Sequence, residues 1–130
     1  MKKIISYAFV FTLGTFIGIT YNSVNAIEND SKPAFLIVSS ERIEGVTQED
    51  YGPYLAAAGP LARDAGLSML ASAQEPLVLE GQWPYKNVAI ERFESMQAVK
   101  DFWYSDGYQA AKKLREGLSK INFIVAIEGD

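Results

Sequence analysis

The apolar positions of this chain fall into short runs with two different periods. Ala34 to Ser40 (AFLIVSS) is a β-rich apolar run between Pro33 and the charged pair Glu41-Arg42, and it predicts a first strand. Thr47 and Asp50 then stand three apart, as in a capping box with Asp in place of Glu. Beyond them Tyr51, Tyr54, Leu55, Ala58, Leu61, Ala62 and Ala65 follow helical spacing. Pro53 suits the first turn of this helix, Pro60 is expected to kink or break it near its middle, and Gly66 stops it. Leu67 to Ala73 alternates weakly as a second strand, and Gln74 to Lys86 reads as a loop or irregular hairpin. Asn87 to Phe93 (NVAIERF) is a third strand. Ser95 caps a helix running through Met96, Val99, Lys100 and Trp103. A second cap at Ser105 opens a helical stretch from Asp106 to Leu118, and Ile121 to Glu128 (INFIVAIE) closes the pattern as strand four.

The order β-α-β-β-α-β is the split βαβ arrangement of ferredoxin-like α+β folds, a four-stranded antiparallel sheet with its helices on one face. A monomer of that design should be polar on its other face. Here both faces are apolar: Phe35 and Ile37 oppose Leu36 and Val38, Val88 and Ile90 oppose Ala89 and Phe93, and Phe123, Val125 and Ile127 oppose Ile124 and Ala126. A second copy packed sheet to sheet is the simplest cover, so a homodimer is expected. The alternation does not say which face pairs. In one assignment Leu36, Val38 and Ile124 lie at the interface and Phe35 and Phe123 in the core.

The first 26 residues form a separate module. Lys2 and Lys3 precede an uncharged, mostly apolar stretch from Ile4 to Ile19, and Val24-Asn25-Ala26 supplies a cleavage pattern, which together predict an export signal peptide at 1–26. The alternative is an uncleaved anchor, the sole membrane contact expected. Ile4 to Tyr21 is short for a span of about 20 apolar residues and contains Gly, Ser and Thr. Either way the domain lies outside the cytoplasm, periplasmic or extracellular. Residues 27–33 read as a flexible leader and 34–130 as one domain. Without Lys2 and Lys3 the chain carries 10 basic against 16 acidic residues, a net charge of −6 that disfavours nucleic acid. Cys and His are both absent. That excludes disulfides, the usual thiolate or imidazole zinc sites, haem on His or Cys, and Ser-His or Cys-His nucleophile systems. No metal and no cofactor are expected, and acid–base work would fall to Asp, Glu, Lys, Tyr or Arg.

Leu79-Glu80-Gly81-Gln82-Trp83-Pro84, the strand ending at Phe93, Ser95-Met96, Trp103-Tyr104-Ser105-x-x-Tyr108-Gln109 and Leu114-Arg115 together resemble the family called domain of unknown function 1330. The resemblance spans about Pro33 to Gly129. It implies membership of the dimeric α/β barrel superfamily, whose members are ferredoxin-like and pair through their sheets. Related barrel families include cofactor-independent monooxygenases, isomerases and haem enzymes, the last at odds with a chain lacking His. Two departures bear on the site. Asp106-Gly107 stands where the family usually has Pro-Glu, and Arg92 stands where an acidic residue often precedes the strand-three Phe.

Several residues are candidates for a site, each with a structural alternative. Glu80 and Trp83 belong to a loop that could close a cavity mouth, or to a turn in which Trp83 plugs the barrel edge. Trp103, Tyr104 and Tyr108 make an aromatic pocket or simply core and dimer contacts. Glu91 and Arg92 are neighbours on a strand, so they point to opposite faces and one of them enters an apolar layer where a charge needs a partner. Lys112, Lys113, Arg115 and Lys120 read as a solvated basic helix end that suits the helix dipole. Two functions follow. One is an exported dimeric protein binding a small apolar or aromatic molecule through Trp83, Tyr54, Trp103 and Tyr108. The other is a cofactor-independent enzyme of oxygenase or isomerase type using Arg92, Glu91 or Glu80, with Tyr54 assisting.

Overall fold

A computed structural model describes residues 31–130. The export segment 1–26 and most of the 27–33 leader lie outside the described residues. The chain runs β1 (Ala34–Arg42), a 3₁₀ turn (Glu49–Tyr51), α1 (Gly52–Asp64), β2 (Ser68–Gln74), β3 (Asn87–Phe93), α2 (Met96–Trp103), α3 (Asp106–Lys113) and β4 (Ser119–Glu128). The sheet order is β2-β3-β1-β4 with every pair antiparallel, so the strands written first and last in the domain lie side by side at its centre and edge. This is the expected ferredoxin-like α+β architecture.

Local chemistry sets most of the boundaries. Ser95 Oγ accepts from the Ala98 N–H at 3.0 Å and starts α2, and Ser105 Oγ accepts from the Tyr108 N–H at 3.1 Å and starts α3. Asp50 reaches back to the Thr47 N–H at 2.7 Å, and that bond holds its carboxyl below the usual carboxylate range. Two expectations need correction. Helix α1 continues through Pro60 without a break. The donor that Pro60 lacks would have served the Ala56 carbonyl, and both residues are exposed, where water can take that bond. Helix α3 stops at Lys113, five residues before Leu118. The N–H groups of Leu114, Arg115, Glu116 and Leu118 bond three residues back, and Gly117 takes the left-handed conformation that turns the chain into β4.

Helices α1 to α3 cover the sheet face that carries Ala34, Leu36 and Phe93. These join Tyr54, Ala58, Ala62, Val99, Phe102, Tyr108 and Ala111 in the core, with Val38 and Ile124 packed against it. The assignment that put Leu36, Val38 and Ile124 at a dimer interface is therefore reversed: they face the helices. Phe35, Ile37, Ile90, Phe123, Val125 and Ile127 alternate onto the opposite face, which no element of this chain's helix layer covers. Val125 is 45 % and Ile127 49 % exposed. Near this face, register shifts between Ser39 and Ser40 in the β1–β4 pairing. The Ser39 hydroxyl is fully buried there and satisfied twice, donating to Asn87 Oδ1 at 3.3 Å and accepting from Asn122 Nδ2 at 3.1 Å.

Candidate functional site

Between the sheet and the helices lies a partly open cavity of about 90 Å³. The sheet contributes Leu36, Val38 and Ser40 from β1, Glu91 from β3, and Ser119, Ile121 and Ile124 from β4. The helices contribute Tyr54, Ala58 and Ala62 from α1, Phe102 and Trp103 from α2, and Tyr108 from α3. Period decides this membership. Tyr54, Ala58 and Ala62 are one stripe of α1, spaced four apart, and the small side chains of the alanines leave the space that a larger stripe would fill. Phe102 lies against Tyr108 at 4.2 Å between ring centres, and Trp103 against Tyr108 at 5.2 Å, so the aromatic wall is continuous.

Four groups with chemistry project into this wall. The Tyr54 and Tyr108 hydroxyls meet at 3.3 Å. Burial, with Tyr108 as neighbour, raises the Tyr54 phenol well above its ordinary value of 10, so it stays a neutral donor. Glu91 points in from β3, opposite Leu36 on one neighbouring strand and Met69 on the other. Burial alone pushes its carboxyl up from 4.5 to about 7. Arg115 enters from the turn after α3, with its guanidinium 5.6 Å from the centre of the Tyr54 ring. Its Nε is buried and has no hydrogen-bond partner among the described residues. The ion pair within 4 Å found among those residues is the exposed Arg63–Asp64, so no carboxylate of the described residues pairs with Arg115.

The candidates named from the pattern separate accordingly. Tyr54, Glu91, Trp103 and Tyr108 converge on the cavity. Arg92, Trp83 and Glu80 do not. Arg92 alternates onto the open sheet face, opposite Phe35 and Ser68. Trp83 packs edge to face with Tyr85 at 5.2 Å and Phe123 at 5.9 Å, which places it at the open face rather than at the cavity mouth. Glu80 is exposed on the β2–β3 loop. Arg115 corrects the reading of a solvated basic helix end, although Lys112 does lie on the surface side, 5.2 Å over the Trp103 ring. Arg115 follows Tyr108 by seven and Ala111 by four, the buried stripe of α3, and that spacing is the signal that marks it as inward. Ser40 and Ser119 also line the cavity and carry no comparable signal.

The family model described as a domain of unknown function, DUF1330, matches residues 33–129. The chain belongs to this family. Solved structures similar to the DUF1330 domain share its fold at low identity. A protein of unknown function from Rhodopseudomonas palustris is 17% identical, with a TM-score of 0.61 over 77% of this chain and 84% of that one. A hydroxynitrile lyase from Passiflora edulis is 17% identical, with a TM-score of 0.53 over 76% of this chain and 94% of that one. A mutant of SnoaB, a cofactor-independent oxygenase from Streptomyces nogalater, is 15% identical, with a TM-score of 0.50 over 76% and 94%. No curated protein matches the sequence.

Proposed function

We propose that this DUF1330 domain is an exported homodimer that binds a small apolar or aromatic molecule between its sheet and its helices. The observation that carries the binding reading is the cavity itself, an aromatic and aliphatic wall with a few convergent polar groups, the usual make-up of a small-molecule site. At about 90 Å³ with an open side, it suits a ligand of roughly one ring. The homodimer is supported by the apolar sheet face, where Val125 and Ile127 are half exposed and the Trp83–Tyr85–Phe123 cluster extends the apolar surface. Export is supported by the pattern from Lys2 to Ala26.

Binding is tested by fluorescence. The chain has two tryptophans, Trp103 in the cavity wall and Trp83 outside it. In Trp83→Phe protein, benzyl alcohol is expected to change Trp103 emission saturably, and Ala58→Leu, which fills the cavity, is expected to remove the response. A linear, unsaturable response that survives Ala58→Leu would reject a site.

A second reading, a cofactor-independent enzyme, is favoured by one observation: a carboxyl poised near neutral pH inside the cavity, where a general acid or base works best. The fold hosts many unrelated functions, so the lyase and oxygenase among similar structures add only that it accommodates small-molecule chemistry. On this reading Glu91→Gln abolishes turnover of a bound substrate while leaving its binding within a few-fold.

A further inference from the structure

We propose that the cavity is built for a small carboxylic acid, whose carboxylate is held by Arg115 with the Tyr54–Tyr108 hydroxyl pair and Glu91 beside it. This rests on the cavity being a binding site and names the class of ligand it takes.

The argument starts from charge. Arg115 is always protonated, and a guanidinium partly withdrawn from water needs an acceptor. Its contact with the Tyr54 ring supplies only a weak one, and its buried Nε has none among the described residues. No carboxylate of the described chain lies within 4 Å of it. Glu91, the acidic member of the cavity wall, does not serve that purpose: burial is the whole cause of its shift, with no cation stabilising its charge. A cavity holding an unneutralised cation and a carboxyl that burial keeps protonated at mildly acid pH has a net positive charge. An anion completes it. Among anions, a carboxylate matches the planar donor fork of Arg115 and accepts from the neighbouring hydroxyls, while its carbon skeleton meets Leu36, Val38, Ala58, Phe102 and Ile124. The ionisable or charged groups lining the cavity are Glu91 from β3, Tyr54 from α1, Tyr108 from α3 and Arg115 from the turn after it. The elements β1, α2 and β4 present only neutral side chains there.

Protonation of Glu91 makes the preference depend on pH in a definite direction. The protonated carboxyl can donate to the ligand, and the ionised one repels it. Affinity for a carboxylate is therefore level below about pH 7 and falls towards tenfold per pH unit above it.

The test uses the full chain carrying Trp83→Phe and titrates benzoate against benzyl alcohol, two probes that share one ring and differ in charge. At pH ~6 benzoate is expected to bind about tenfold or more tightly, on the scale of a hydrogen bond to a charged group. Arg115→Gln is expected to erase that advantage and leave benzyl alcohol within a few-fold. Arg115→Lys, which keeps the charge and the stem, guards against a folding defect and should retain part of the advantage. Glu91→Gln is expected to flatten the pH profile of benzoate binding. If benzyl alcohol binds as well as benzoate, or the Arg115 variants leave the ratio unchanged, the acid inference is overturned and the cavity remains a site for neutral molecules. If neither probe gives a saturable signal, the binding reading falls with it.

Discussion

Glu91 should make the stability of this domain depend on pH, and a single isosteric change isolates the effect. The carboxyl titrates at about 7 in the folded protein and near 4.5 when exposed to water in the unfolded chain. Below 4.5 both states carry it protonated, and it costs nothing. Between 4.5 and 7 the unfolded chain releases the proton and the folded protein holds it, so the folded state loses ground as pH rises. Above 7 the penalty is complete. At about 1.4 kcal/mol per tenfold in proton affinity, its upper bound is about 3.5 kcal/mol. Glu91→Gln keeps the shape and removes the charge. Urea unfolding of both proteins, followed by far-ultraviolet circular dichroism at one protein concentration between pH ~4.5 and ~8, gives the difference directly, because every other titrating group cancels. The variant should match the parent at the acid end, gain steadily through the window, and level off above pH 7. A stability difference that stays constant across this range would refute the buried, uncompensated carboxyl on which the site is built.

Three further outcomes are expected. Ile37→Asp, on the open sheet face, should convert the proposed dimer to a monomer in light scattering with secondary structure retained, whereas Leu36→Asp, buried under the helices, should unfold the domain by burying an unpaired charge. Phe93→Ala should cost about 3–5 kcal/mol in denaturant unfolding, since its ring is fully buried against Phe102 at 5.6 Å between centres. N-terminal sequencing of protein recovered outside the cytoplasm should begin at Ile27, and cytoplasmic protein retaining Met1 would count against export.

The parts of the fold that local chemistry decides were legible in the sequence. Asn87–Phe93 is bounded by its own alternation, and Ser95 and Ser105 announce their helices because each hydroxyl accepts a bond from an N–H three residues on. Where competing signals met, the reading went astray. Pro60 argued for a break, but its exposed position let the packing of Tyr54, Ala58 and Ala62 carry α1 through. The α3 pattern persists past Lys113 because Arg115 and Leu118 still point inward from a tighter turn. The site was half legible for the same reason. Tyr54 and Tyr108 belong to helices whose inward stripe can be counted, whereas the β3 alternation says that Glu91 and Arg92 point oppositely but not which of them enters the cavity. Trp83 and Glu80 sit on the 75–86 loop, where no period fixes direction, and the loop carries them to the other face and to solvent.

Glu91 and Arg92 show how one alternation sets up both proposed activities. Adjacent on β3, they cannot pair with each other, since the pleat sends them to opposite sides of the sheet. Glu91 enters the helix layer between Leu36 and Met69, while Arg92 lies between Phe35 and Ser68 on the open face. The two positions treat charge differently. Arg92 must keep its hydration or meet an acceptor if a second copy covers the face, as the proposed dimer requires. The Glu91 carboxyl can shed its charge, and burial makes it do so near neutral pH. A permanently charged residue in the cavity would be a fixed cost. A carboxyl there is inexpensive when protonated and becomes a cost as pH rises, which ties stability and ligand affinity to the same proton. On the acid-ligand reading both fall as pH rises, stability between about 4.5 and 7 and affinity above 7, and Glu91→Gln should restore both. A neutral ligand that donates a hydrogen bond would instead favour the ionised carboxyl, so stability and affinity would move in opposite directions with pH. The relative sign of the two profiles therefore distinguishes the ligand class even before the natural ligand is known.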